Sequence, residues 1–235
     1  MTTRTVRTPL SRERVLAAAM RLADDEGLTA VTMRRLATDV GVEAMSLYHH
    51  VPGKEALLDG LAEAVLDAIT TAVDARVTQD DDWRTALRHR CLAAREVMVR
   101  HRWAPGLLAT RTSLPPGLYP YYEAILATMV AGGLSYHLAH RGIHALGTMV
   151  LGFTQELFTP STDGGTMDEE AAEAELVAMA AALPHLTAMV TAEVHDHEED
   201  PLGWCDSLNE FAFTLDLLLD GLHRAAAGDL DRAPR

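Results

Sequence analysis

Apolar residues recur along almost the whole chain at the three- and four-residue spacing of helices, and no stretch keeps the two-residue rhythm of a strand. The first helical pattern spans Arg12 to Glu26, with Val15, Ala19, Leu22 and Ala23 on one stripe. Ser11 can cap it by accepting from an unpaired first-turn N–H, Leu10 can staple onto Val15, and Gly27 supplies the stop. A short second helix is predicted from Met33 to Val40, capped by Thr32 and ended by Gly41, with Leu36 and Val40 inward. A third runs from about Glu43 to His50 and meets the turn signal Pro52-Gly53. A fourth starts near Lys54 and passes Ile69, with Leu57, Leu58, Leu61, Val65 and Ile69 on its inner face.

After the acidic break at residues 79–82 the pattern resumes from Trp83 to His101. Pro105 and Pro115-Pro116 bound a short piece holding Leu107 and Leu108. Further helices are predicted from Tyr119 to Val130, from Leu134 to Phe158 after the Gly132-Gly133 break, from Met167 to Leu183, and from Gly203 to Ala227. Residues 159–166 and the acidic stretch His195 to Asp200 read as loops, and there is no internal repeat. The chain is therefore expected to be all-α.

Composition changes this picture in a few respects. With 48% hydrophobic and 23% charged residues, the chain can bury a core and is not of disordered type. No apolar run approaches the ~20 residues of a membrane helix, and no apolar segment follows Met1–Arg7 as a secretory signal requires. Cys91 and Cys205 are two thiols, too few for a disulfide framework, so a reducing cytoplasm is the expected location. The net charge of −14 argues against a nucleic-acid binder if taken whole, but it is unevenly spread. Residues 1–55 carry eight basic and seven acidic side chains, and residues 56–235 carry twelve and twenty-seven. This is the asymmetry of a polyanion-binding head on an acidic body, or chance unevenness in a soluble chain.

The stretch Thr32 to Lys54 separates these readings. Two short helices joined through Gly41 make the pattern of a helix-turn-helix: Ala37 is small at the crossing, Gly41 tolerates a backbone that a side chain opposes, and Val42 and Leu47 plug one helix onto the other. Ala44, Met45, Ser46, Tyr48, His49 and His50 are then free to face outward, on a helix that fits the major groove of B-DNA. The run Leu36-Ala37, Gly41-Val42, Leu47-Tyr48, His50-Val51 and Lys54, followed by Leu57-Leu58, resembles the DNA-binding domain of the tetracycline repressor (TetR) family over about residues 10–70.

The resemblance implies that Thr32, Arg34, Ala44, Met45, Ser46, Tyr48, His49, His50 and Lys54 form the DNA face. Ser46 and Tyr48 can donate to phosphate oxygens, and Arg34 can reach a base edge or a phosphate. Lys54, the one lysine of the chain, sits where a helix N-terminus also favours a phosphate. Ala44 and Met45 cannot hydrogen-bond a base but can touch a thymine methyl, so phosphate contacts are expected to do much of the positioning. Tyr48 has a second reading, as an aromatic closing the three-helix bundle, although Leu47 already fills the inward slot. For His50 the two readings are balanced.

The rest of the chain resembles, more loosely, the larger domain of the tetracycline repressor subgroup in His101-Arg102, Thr110-Arg111, Leu151-Gly152 with Glu156, and residues 215–222. That implies a helical domain that binds a small effector and dimerises. The expected architecture is an N-terminal three-helix helix-turn-helix DNA-binding domain over residues 1–55, a connecting helix over about 54–77, and a larger helical effector-binding and dimerisation domain over 78–235.

The last helix is apolar on two faces: Leu208, Phe211, Leu215, Leu218 and Leu222 on one, Phe213, Leu217 and Leu219 on another. The helix before residue 158 shows the same excess at Leu146, Val150, Phe153 and Leu157. Two such helices from each of two chains make a four-helix bundle, and the first stripe of each is expected at the interface. A deep monomer core is the alternative. Effector contacts are expected from Trp103, Leu107, Leu108, Tyr122, Leu126, Met129, His137, His140, His144 and Phe153, any of which can also be plain core. His137, His140 and His144 share one helix face, as a metal site or as polar groups in the core. No Cys or carboxylate stands at ligand spacing beside them, so no metal is assigned.

The functional expectation is a cytoplasmic homodimeric repressor, released from palindromic operator DNA by a small, mainly apolar effector, with no cofactor and no membrane partner. No Gly-rich phosphate loop, nucleophile elbow or metalloprotease motif suggests an enzyme. The rivals are an all-α metal-binding or enzymatic protein on the histidine face, and a dimeric DNA binder that takes no ligand. A magnesium–tetracycline chelate is not the expected effector. In the tetracycline repressor a histidine on the short helix ligates the metal, whereas the matching stretch Trp103–Ala109 holds no magnesium ligand.

Overall fold

The computed structural model describes residues 9–111, 115–154, 180–193 and 207–228. Among them there is no strand. Ten α-helices follow in order: α1 Arg12–Glu26, α2 Met33–Val40, α3 Ala44–Tyr48, α4 Lys54–Asp74, α5 Trp83–Arg100, α6 Ala104–Thr110, α7 Leu118–Ala131, α8 Tyr136–Gly152, α9 Pro184–Glu193 and α10 Ser207–Ala226, with a 3-10 turn at Leu28–Ala30.

The caps expected at Ser11 and Thr32 are present, and Asp82 and Ser135 add two that were not singled out. Ser11, Thr32, Asp82 and Ser135 each accept a hydrogen bond from a backbone N–H three residues on, at 2.7–3.2 Å, and so start α1, α2, α5 and α8. Three details depart from expectation. Pro105 lies inside the first turn of α6 rather than before it, where proline has no hydrogen bond to lose. The helix expected to reach Phe158 ends at Gly152, where the Thr154 hydroxyl donates to the Leu151 carbonyl at 2.7 Å. The helix α9 was not expected; it follows Leu183 and starts on Pro184. The helix expected at 167–183, the loops at 159–166 and 195–200, Cys205 and Leu157 lie wholly or mostly outside the described residues.

Two apolar cores share α4. The first packs α1, α2, α3 and the front of α4 around Val15, Leu36, Leu47, Leu57 and Leu61. Leucine and alanine dominate it, and α1 meets α4 so closely at Gly60 that a Cβ there would lie 2.7 Å from Leu16. The second packs the rear of α4 (Val65, Ile69, Val73) with α5, α7, α8 and α10. The short helix α6 belongs to both: Leu107 is buried in the first core, and its neighbour Leu108 packs against both. The corner before α6 is tied to α1 at one atom, Asp24 Oδ1, which accepts from Trp103 Nε1–H at 2.7 Å and lies 2.8 Å from His101 Nδ1.

Candidate nucleic-acid interface and buried cavity

The turn between α2 and α3 sets the outward face. Gly41 adopts the left-handed conformation at φ 71°, its N–H donates to the Thr38 carbonyl, and the Val42 N–H reaches back to Ala37. Leu47 is thereby fully buried. On the other side of α3, Met45 is 72% and Tyr48 44% exposed, so Tyr48 does not close the bundle. His49 is exposed, and Ala44, Ser46 and His50 are half-buried.

Two cations flank this face without a counter-charge among the described residues: Arg34 on α2 and Lys54 at the first position of α4, both exposed. Their neighbours are spent internally. Arg35 pairs with Glu26 at 2.7 Å and Asp39 at 3.3 Å, and Arg12 pairs with Glu63 at 2.8 Å. Thr32 is exposed, but its hydroxyl already serves as the α2 cap. The arrangement leaves one arginine and one lysine free for phosphate, beside an apolar side chain that can meet a thymine methyl.

Behind this head lies a cavity of about 260 Å³, walled by α4, α5, α6, α7 and α8. Of the residues expected at an effector, it takes in Leu108 and Tyr122. The others lie elsewhere. Leu107 and Met129 are packed into the cores, Leu126 packs beside the second, and Phe153 stacks edge-on against Phe211 at 5.7 Å. Trp103 is engaged by Asp24. His137, His140 and His144 do share a face of α8, with the last two rings 4.6 Å apart, but that face is exposed, because Leu138, Ala139, Gly142 and Leu146 are the residues turned inward. No group of three ligating side chains able to hold a metal occurs among the described residues.

Sequence reasoning missed most of the cavity wall. Ile69, Ala94, Ile125 and Ile143 supply apolar surface, and Arg90, Cys91, Arg111 and Tyr121 supply its chemistry. Burial pushes the Cys91 thiol up to about 12 and raises the Tyr121 phenol as well, so both stay neutral near pH 7. Arg111 is only 11% exposed in its side chain and is gripped from α4, by Glu55 at 2.7 Å and Asp59 at 3.1 Å. The adjacent Tyr121-Tyr122 pair was the available signal, and only its second member had been singled out.

The stripe expected at a partner chain is corrected on α10. Phe211, Leu215 and Leu222 are buried inside their own chain, with Leu218 half-buried beside them, because α10 packs this side onto α5 and α8. Leu146 and Val150 of α8 are likewise internal. The apolar residues that α10 leaves in solvent are Leu208, Phe213 and Leu217, the last two 63% and 54% exposed.

Comparison with known proteins agrees with this architecture. The family profile described as "Bacterial regulatory proteins, tetR family" matches residues 15–61, and "Tetracyclin repressor-like, C-terminal domain" matches residues 77–226. The chain is 32% identical to the class C tetracycline repressor protein of Escherichia coli over 74% of its own length and 77% of that protein. It is 31% identical to the HTH-type transcriptional repressor DrrR1 of Streptomyces coeruleorubidus over 91% of its length and 77% of the relative. The Streptomyces coelicolor TetR family protein ActR in complex with actinorhodin superposes with a TM-score of 0.68 at 27% identity, over 93% of this chain and 99% of that one. Regulators of this kind bind operator DNA and respond to small molecules, and they are not enzymes. With the helix-turn-helix and the larger helical region both matched, the chain belongs to the TetR family of ligand-responsive, DNA-binding transcriptional regulators.

Proposed function

We propose that the protein is a cytoplasmic, homodimeric repressor that leaves a palindromic operator when a mainly apolar effector enters the cavity between α4 and α8. Residues 1–55 form its reading head, α4 is the connecting element, and the remainder binds effector and partner. Operator contact is assigned to Arg34 and Lys54 for phosphate, to Ser46, Tyr48, His49 and His50 as hydrogen-bonding side chains, and to Ala44 and Met45 for base methyls, with Thr32 holding the start of α2. The exposed apolar stripe of α10, Phe213 and Leu217, is the surface assigned to the second copy, and two-fold symmetry matches a palindrome.

The observation that carries this reading is the position of α6. Leu107 lies in the core that supports the DNA face while Leu108 lines the cavity, so a ligand that displaces α6 disturbs both. The effector then acts by binding one arrangement of the heads better than the other, which shifts their populations. The structure of the related ActR in complex with actinorhodin supports a small-molecule ligand. The test is anisotropy of labelled DNA from upstream of the protein's own gene. Wild type should bind it at nanomolar to sub-micromolar protein concentration, and Lys54→Ala with Arg34→Ala should abolish the complex while leaving the circular-dichroism spectrum unchanged. Retained binding by the double variant overturns the assignment.

A further inference from the structure

Two arginines line the cavity, and they differ in one respect. Arg111 is neutralised by Glu55 and Asp59 of its own chain. Arg90, on α5, makes no ion pair and no side-chain hydrogen bond among the described residues; its Nε, like that of Arg111, is buried without a partner. Its positive charge acts on the Tyr121 phenol and the Cys91 thiol, the two polar groups beside it, drawing both pKa values down against the larger effect of burial. The rest of the cavity lining is mainly apolar and includes Ala94, Ile125 and Val150. A guanidinium at an apolar wall is poorly solvated and fits a planar anion with two oxygens. The neutral Tyr121 hydroxyl is a donor that can complete such an anion's hydrogen bonds.

We propose that the effector is an apolar acid: an aromatic or aliphatic body in the cavity, carrying a carboxylate or comparable oxyanion seated on Arg90 and Tyr121. This rests on the reading of the cavity as the effector site and names the ligand class that the site selects. Arg111 cannot serve as the anchor without giving up Glu55 and Asp59, whereas Arg90 has no partner to give up among the described residues.

The test uses two fluorescent probes with the same skeleton, 8-anilinonaphthalene-1-sulfonate and its uncharged parent N-phenyl-1-naphthylamine, titrated into the full chain. Arg90→Gln should weaken sulfonate binding at least tenfold and change binding of the neutral probe less than threefold, which also shows that the variant keeps its cavity. Arg90→Lys should restore part of the preference, and Tyr121→Phe should weaken the sulfonate alone by about threefold. Ile125→Trp, which crowds the cavity without touching the charge, should weaken both probes. If Arg90→Gln weakens the two probes equally or neither, the acid assignment is overturned while the cavity reading stands. If Ile125→Trp leaves both probes bound as tightly as before, the cavity reading falls and the proposal with it.

Discussion

The head and the body answer the same problem, what to do with arginine, in matched pairs. In the head, Arg35 is held by Glu26 and Asp39 while its neighbour Arg34 is left to solvent. In the body, Arg111 is held by Glu55 and Asp59 while Arg90 has no carboxylate among the described residues. In both regions one cation is fixed by its own chain and orients local structure, and the other is available. The regions differ in packing. The head closes around Leu36, Leu47, Leu57 and Leu61 with alanines at the helix crossings, whereas the body keeps about 260 Å³ unfilled. A surface that must present side chains at fixed spacing gains from a rigid base. A site that must admit a molecule needs room, and gives up dispersion contacts for it.

That contrast can be broken most forcefully through the cores. Leu47→Ala in the head should cost roughly 2–5 kcal/mol, as for other fully buried leucines, and Ile125→Ala at the cavity wall roughly 1 kcal/mol, because its side chain already faces unfilled space. Denaturant titration of the two variants checks the ordering, and equal costs would erase the difference between the close-packed head and the open body. Next come the two sides of α10. Phe211→Arg places an unpaired charge in the second core and should leave little folded protein, whereas Leu217→Arg should fold and sediment as a monomer at micromolar concentration. A dimeric Leu217→Arg variant would remove that stripe from the interface.

In the head, Lys54→Ala and Tyr48→Ala should each weaken operator binding about tenfold with little change in thermal midpoint. For Lys54 the slope of log affinity against log salt should fall by about one. In the body, calorimetric titration with tetracycline and magnesium should show no micromolar binding. A tight complex that disappears on adding a metal chelator would contradict the apolar-site reading. The smallest effect concerns Cys91. With its pKa raised from 9.0 to about 12, the folded thiol stays protonated where the unfolded one ionises. In a Cys205→Ser background, reaction with a disulfide reagent at pH 8 should be slow in the native protein and fast in denaturant. Stability should decline as pH rises from about 9.

The head was legible because its signals are local. Caps at Ser11 and Thr32, the stop at Gly41 and the buried Leu47 depend on residues within one or two turns, so periodicity and turn chemistry suffice. The body resisted for two reasons. On α10 both Phe211-Leu215-Leu222 and Phe213-Leu217 are apolar stripes at helical spacing, and only the positions of α5 and α8 decide which is internal. In the cavity, Arg90 and Arg111 look like ordinary solvent-facing arginines on amphipathic segments, and their role arises from helices distant in sequence. The histidines of α8 were grouped correctly on one face, but three amphipathic side chains do not reveal whether that face is turned in or out.

The sharing of α4 between the two cores has a mechanical consequence. Lys54 stands at one end of the helix, and Ile69, at the cavity wall, stands fifteen residues along it. At ~1.5 Å per residue the two are separated by roughly 22 Å of rigid rod. A tilt of about 5° pivoting at the cavity end carries the lysine end by roughly 2 Å, well beyond the ~0.7 Å that separates a good hydrogen bond from a broken one. Under the proposed function the helix is a lever with a long output arm, by which a small displacement beside a ligand becomes a larger one at the DNA face.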